Sequence, residues 1–395
     1  MVGAGLFTAF APAAAAAGAL VLVSLGLAAV VAYCNAVSSA QLAAQYPTSG
    51  GTYVYGRERL GEWWGFTAGW GFVIGKTASC AAMAMTFAAY VVPTDWQRPV
   101  AVVAVATLAA VNYHGVTRTA RLARIIVTIV LALLLAVLVG LVAGGGTTGP
   151  AVEVPTGWTG VTQGAALLFF AFAGYARIAT MGEEVRDPQR SIPRAIIIAF
   201  AVVAPVYGLT GWVLLDQLGP QELAESTAPL REAAERSPYA AGLAPMVIVA
   251  AAVAALGALL SLIAGVGRTA LAMAREGDLP RDLSRVHPRH AVPHVAEVTL
   301  AVVVCALVLV ADLRGVIGFS SFGVLTYYAI ANAAAWSQDR AHRLQPRAVQ
   351  VVGLVGCLVL ALTVPVQALV PGVVILAVGV AGRALVLRRR SRAGG

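Results

Sequence analysis

The chain has 395 residues, of which 59% are hydrophobic and only 11% charged. Soluble domains carry about 25% charged residues, so too few remain here to cover a water-facing surface of this size. With a mean hydropathy of +0.82, lipid is the solvent for most of the chain, which excludes a soluble enzyme. The net charge of +9 does not make it a nucleic-acid binder, because the basic residues sit between apolar runs.

Apolar runs of helical length follow one another from end to end. Span 1 covers residues 1–17, span 2 residues 18–45, span 3 residues 62–92 and span 4 residues 99–115. Spans 5 to 8 cover 120–143, 160–182, 193–217 and 242–274. Spans 9 to 12 cover 295–312, 315–337, 348–364 and 365–387. Each crossing needs about 20 apolar residues, so the expected fold is an all-α polytopic membrane protein of about twelve helices. The runs are continuously apolar rather than alternating, which excludes a β-barrel.

Arginine placement orients the chain. If span 2 ends in the cytoplasm, that side collects Arg57, Arg59, Arg118, Arg121, Arg124, Arg186, Arg190 and Arg194. It also gains Arg268, the basic residues of 275–289 and 340–347, Arg383 and the arginine-rich tail. The other side holds Arg98, Arg231, Arg236 and Arg314. The C-terminus is therefore expected in the cytoplasm. The bias of arginine over lysine, with abundant Ala and Val, fits a GC-rich bacterial genome, so the expected location is a bacterial inner membrane. Cys34, Cys80, Cys305 and Cys357 each stand alone in an apolar run, without metal spacing. They read as small core residues.

Lys76, the only lysine, lies in the middle of span 3, roughly 20 Å from either end at helical rise. A lysine stem cannot snorkel that far, and a midspan charge faces a cavity or a partner. Lys76 is therefore a candidate coupling residue, with a packed lysine bonded to a carbonyl as the plainer reading. Arg177 lies roughly 10 Å from the inner end of span 6 and can snorkel. Glu183 and Glu184 at that end are candidates for pairing with basic inner loops, as a gate or as structure. Every Asp and Glu lies in a loop or near a helix end, so no acid is expected to neutralise Lys76.

Two spans are interrupted by glycine: Gly3-Ala4-Gly5 in span 1 and Phe172-Ala173-Gly174 in span 6. Breaks at matching places in two halves point to an inverted repeat with a binding site at the breaks. The alternative is that these glycines only allow close packing.

Four stretches then carry a resemblance. They are Gly3-Ala4-Gly5-Leu6-Phe7, the loop 46–55 reading YPTSGGTYVY, the segment 182–196 reading GEEVRDPQRSIPRAI, and Ala272–Pro280 with the following Val286-His287-Pro288-Arg289 and Pro293. In this order the chain resembles amino acid permeases of the amino acid–polyamine–organocation superfamily. The resemblance implies a LeuT-like 5+5 inverted repeat with discontinuous helices 1 and 6. Repeat one would be about 1–143, repeat two about 160–338, and 348–387 would be peripheral. Its members have a half-helix before the first break, so the productive protein is expected to be longer upstream of Met1. Some proton-driven members carry a lysine on helix 5, which is absent here, and cationic transporters carry an acid where this chain has Ala176.

The breaks suggest how a zwitterion would be read. Free N–H groups at Gly3, Ala4, Gly5 and Leu6, at the positive end of a helix dipole, suit an α-carboxylate. Freed carbonyls near Phe170 and Ala173, beside Gly174, suit an α-ammonium group. Phe169, Phe170, Phe172 and Tyr175 are candidates for the side-chain pocket and a gate. An uncompensated Lys76 favours neutral or acidic amino acids, and a cationic amino acid or polyamine exchanger is the runner-up. Proton or sodium is the expected coupling ion, with no cofactor. An intramembrane enzyme or channel is disfavoured, since His114, His287, His290, His294 and His342 lie in or beside loops.

Overall fold

The structure, a computed structural model, describes residues 2–47, 50–115, 120–146, 157–175 and 187–393. Among them all regular structure is helical. The first half comprises α1 (Ala4–Thr8), α2 (Phe10–Ala17), α3 (Val21–Gln45), α4 (Thr52–Leu60), α5 (Glu62–Val91), α6 (Thr94–Tyr113) and α7 (Ala120–Gly144). It continues with α8 (Trp158–Phe172), α9 (Pro188–Glu225), α10 (Pro229–Arg236), α11 (Ala240–Arg275) and α12 (His294–Val310). Last come α13 (Leu313–Trp336), α14 (Arg347–Thr363) and α15 (Val366–Ala393).

Among the described residues, seven stretches are long and apolar enough to cross a membrane, and α8, α12 and α14 are shorter apolar helices. The chain is thus an all-helical, multi-pass membrane protein. Two helices lie outside the predicted spans. Residues 52–60, read as loop, form α4, and the outer connection after span 7 contains the amphipathic α10. Both are too polar to register as apolar runs and fold by packing Tyr53, Tyr55, Leu230 and Ala233 against the bundle.

Helix ends follow local chemistry. Gly219 stands at φ 70 before Pro220, so α9 is broken there. Asp312 caps α13 by accepting the Gly315 N–H at 2.8 Å.

At the centre α5 packs against α13 and α11, while α3 packs against α8 and α9. The α5–α13 contact is a glycine seam. A Cβ on Gly75 would stand 3.1 Å from the Gly323 Cα, and one on Gly323 would stand 2.7 Å from the Gly71 carbonyl. Small residues four apart let two backbones approach to this distance in lipid. Ser79 and Ser320 share a hydrogen bond of 2.6 Å across the seam. These contacts fix the height and rotation of α5 at Lys76.

Candidate functional site

The glycine of the first break ends in a helix. Gly3 is extended, α1 begins at Ala4, and Ala9 is itself helical, so α1 and α2 run on from one to the other. The first turn of a helix leaves N–H groups without intrahelical partners. The Leu6 N–H is turned back onto the Gly3 carbonyl at 3.3 Å. Thr8 bonds the Ala4 carbonyl at 3.0 Å and meets Thr86 of α5 at 3.2 Å. Tyr90 donates to the Phe7 carbonyl at 2.7 Å, and its ring meets Phe7 edge-on. Together these bonds hold α1 on α5.

The second break follows α8, where Ala173–Tyr175 form a single 3-10 turn. A helix that stops leaves its last carbonyls open, and here several of them find partners. The Ala173 N–H is shared between the Phe169 and Phe170 carbonyls. Tyr207 of α9 donates to the Ala171 carbonyl at 3.0 Å. Lys76 Nζ donates to the Ala173 carbonyl at 2.9 Å. The lysine is 5% exposed and lines a cavity.

The two breaks meet. A Cβ on Gly5 would lie 2.5 Å from the Ala171 Cα, so only glycine lets α1 touch α8 here. A cavity of about 870 Å³ lies beside this contact. Gly3, Ala4, Gly5, Phe170, Ala173, Gly174 and Lys76 line it together with Ser79, Asn112, Arg268, His290 and Glu297. The volume suits an amino acid with room for water.

Several sequence candidates fall elsewhere. Leu6 is fully buried in the core and does not line the cavity. Phe172 is also buried, packed between Phe200 and Tyr207 with ring centroids at 5.9 and 5.0 Å. Phe169 meets Tyr328 of α13 at 5.9 Å. The Tyr175 backbone lies in the 3-10 turn; its side chain, with Arg177, Glu183 and Glu184, lies outside the described residues. The Phe170 carbonyl, expected to be free, accepts the Ala173 N–H, and the Ala173 carbonyl is taken by Lys76.

Sequence reasoning missed Glu297. Its place in the first turn of an apolar helix made it read as a loop-side acid, yet it is 2% exposed. It folds into the space left by Gly267 of α11, where a Cβ would stand 2.9 Å from its Cγ. Glu297 Oε2 is buried without a hydrogen bond, and Arg268 lines the same cavity. One carboxylate thus lines the same cavity as Lys76, without a direct bond to it.

Two of the motif loops, around Tyr53 and around Asp278, come together. Asp278 pairs with Arg57 at 3.1 Å and with Arg383 of α15 at 2.9 Å, and accepts from Tyr53 at 2.8 Å. Burial, and next the Asp278 carboxylate, push the Tyr53 phenol above its ordinary range. Arg383 also lies over the Trp63 and Phe66 rings. Nearby, the Tyr113 ring gathers His114, His287, His290 and His294 within 5.4 to 6.2 Å. Desolvation, then His287, His114 and Arg289, holds His290 below its ordinary value. Among the described residues no group of His, Cys, Asp and Glu is arranged to hold a metal ion.

One helix starting at the Gly3-Ala4-Gly5 stretch and another ending at Phe172-Ala173-Gly174 thus border one cavity, and a family model described as amino acid permease matches residues 1–381. The chain belongs to the amino acid permease family. An uncharacterized transporter of Mycobacterium tuberculosis is 55% identical over 397 residues, covering 99% of this chain and 90% of that protein. Cationic amino acid transporter 4 of Homo sapiens is 29% identical over 83% of this chain and 56% of its own length. The branched-chain amino acid permease of Bacillus subtilis is 26% identical over 75% of this chain and 68% of its own. The protein is accordingly a transporter of the amino acid–polyamine–organocation superfamily and not an enzyme.

Proposed function

We propose that this permease moves amino acids across a bacterial cytoplasmic membrane by alternating access, binding them in the cavity between α1 and the α8 break. The observation that carries this reading is the contact of Gly5 with Ala171 beside that cavity. It puts first-turn N–H groups and the carbonyl end of a broken helix on one small space. The substrate carboxylate meets the N–H groups of Ala4 and Gly5, and its ammonium lies toward Ala173. On this reading the two halves form the 5+5 repeat, α14 and α15 are peripheral, and the arginine-rich end faces the cytoplasm.

The substrate is a neutral amino acid. Phe72, Met83, Ile126, Val127, Val130 and Phe170 give the cavity wall an apolar character suited to such side chains. Glu297 favours a second reading, a cationic side chain directed toward the carboxylate. Uptake of radiolabelled L-leucine and, in parallel, of radiolabelled L-arginine into proteoliposomes, each competed by the twenty unlabelled amino acids, separates the two. Leucine uptake competed by aliphatic amino acids supports the first, arginine uptake competed only by arginine and lysine the second, and uptake of neither label refutes both.

A further inference from the structure

The bond from Lys76 to the Ala173 carbonyl bears on how this site would work, if the proposed binding mode holds. An ammonium already occupies the acceptor toward which a zwitterion would bring its own. The Ala171 carbonyl is engaged by Tyr207, and those of Phe169 and Phe170 by the Ala173 N–H. Lys76 cannot reach the water beyond either end of its helix. It sits midway along α5, roughly 20 Å from either end at helical rise, and the glycine seam holds that helix against α13. A displaced Lys76 side chain stays in the wall of the same cavity. Two ammonium groups at contact distance in a low-dielectric wall repel, and the cheaper state is the one in which one of them gives up its proton.

We infer that the Lys76 ammonium and the α-ammonium of a bound amino acid are alternatives at the Ala173 carbonyl, so that binding releases one proton from the protein. The N–H bond of Lys76 breaks with its electron pair left on Nζ, the proton passes to cavity water, and the neutral amine remains beside the substrate. Substrate and proton therefore compete. Releasing substrate on the other side lets Lys76 take up a proton there and re-form its bond to Ala173. Such a cycle exchanges protons against amino acids.

Among the described residues, the charged and titratable groups around Lys76 are consistent with this role. Cys80 follows one turn later on α5. Arg268 from α11, Glu297 from α12 and His290 from the preceding loop line the same cavity. Glu297, with its unbonded Oε2, is the competing candidate for the titrating group.

The test is calorimetry on the purified full chain with L-leucine and any of the twenty amino acids active in uptake. Titrations in phosphate and in Tris, which differ in ionisation enthalpy, give the protons released. The expected result is close to one proton per amino acid bound, with affinity rising about tenfold per pH unit while Lys76 is charged. The deamino analogue 4-methylpentanoate should release none. Lys76→Met, which keeps the side-chain volume, should bind L-leucine without proton release or pH dependence. Lys76→Arg should lose affinity at every pH, because arginine keeps its proton. Glu297→Gln should leave the proton count unchanged.

Binding without proton release in the wild-type protein overturns the inference even if both lysine variants fail to fold. Release that survives Lys76→Met, or that disappears in Glu297→Gln, overturns it as well. Binding by none of the twenty amino acids overturns the transport reading itself and this inference with it.

Discussion

The contact between Gly5 and Ala171 gives the sharpest perturbation. A Cβ at position 5 would stand 2.5 Å from the Ala171 Cα and 2.8 Å from its Cβ. Ordinary contact between carbon atoms is about 3.5–4.0 Å, so α1 and α8 must part by roughly 1 Å or more. The nearest atom is backbone, and no side-chain rotation relieves the clash. Overpacking of this kind costs about 1–3 kcal/mol. If the strained state is the one that binds, that cost lowers its population about 5- to 150-fold, and apparent affinity falls by the same factor. Gly5→Ala should therefore weaken L-leucine binding within this range while the protein still inserts and purifies, and Gly5→Leu should abolish uptake. Gly26→Ala is the control, because a Cβ on Gly26 meets nothing within 4 Å. Calorimetry in detergent, with uptake by proteoliposomes, reads the difference. Wild-type affinity in Gly5→Ala would refute the idea that the α1–α8 contact shapes the site.

Three further outcomes follow from named contacts. Asp278 and Arg383 are almost wholly buried together, so Asp278→Asn should cost about 3–5 kcal/mol and lower the thermal midpoint in detergent; an unchanged midpoint removes this pair as the tie between α15 and the loops. Asn332 accepts from Ser38 at 2.8 Å and donates to Asn35 at 2.6 Å. Its replacement by alanine should destabilise by about 1–3 kcal/mol through stranded partners, where a neutral result would mean that the two side chains re-pair. Glu297→Gln should weaken competition by L-arginine and spare that by L-leucine if the carboxylate draws a cationic side chain; equal effects on both would assign Glu297 to structure.

How far the sequence carried the fold depends on which physical signal each element gives. Long apolar runs announce themselves, because lipid demands a satisfied backbone and so a helix. The spans therefore fall close to the observed α3, α5 and α11. Helix α4 gives no such signal. Arg57, Glu58 and Arg59 make it polar, and its helix rests on buried Tyr53 and Tyr55 and on the ion pairs of Arg57 with Asp278 and Glu276. Glu297 was visible as a residue but not as a buried one, because its burial depends on Gly267 in another helix. The midspan position of Lys76 was legible, whereas its acceptor was not, since no local pattern pairs position 76 with the carbonyl of residue 173.

The choice of lysine at position 76 follows from the geometry that surrounds it. At this point Lys76 bonds the Ala173 carbonyl, while the carbonyls of Phe169, Phe170 and Ala171 are engaged by the turn itself and by Tyr207. A lysine ammonium is a compact donor that can satisfy a single acceptor and shed its proton. A guanidinium is a fork of five donors that keeps its charge and would leave most of them unmet in this wall. The distance is set from both sides. Gly71 and Gly75 place α5 against Gly323 of α13, and Tyr207 fixes the end of α8 against α9. Because neither helix is free to follow the side chain, the strength of the Lys76–Ala173 bond depends on what else approaches that carbonyl. On the binding mode proposed above, a zwitterion arriving there would compete with the bond directly, and that competition is the route by which substrate binding would move a proton.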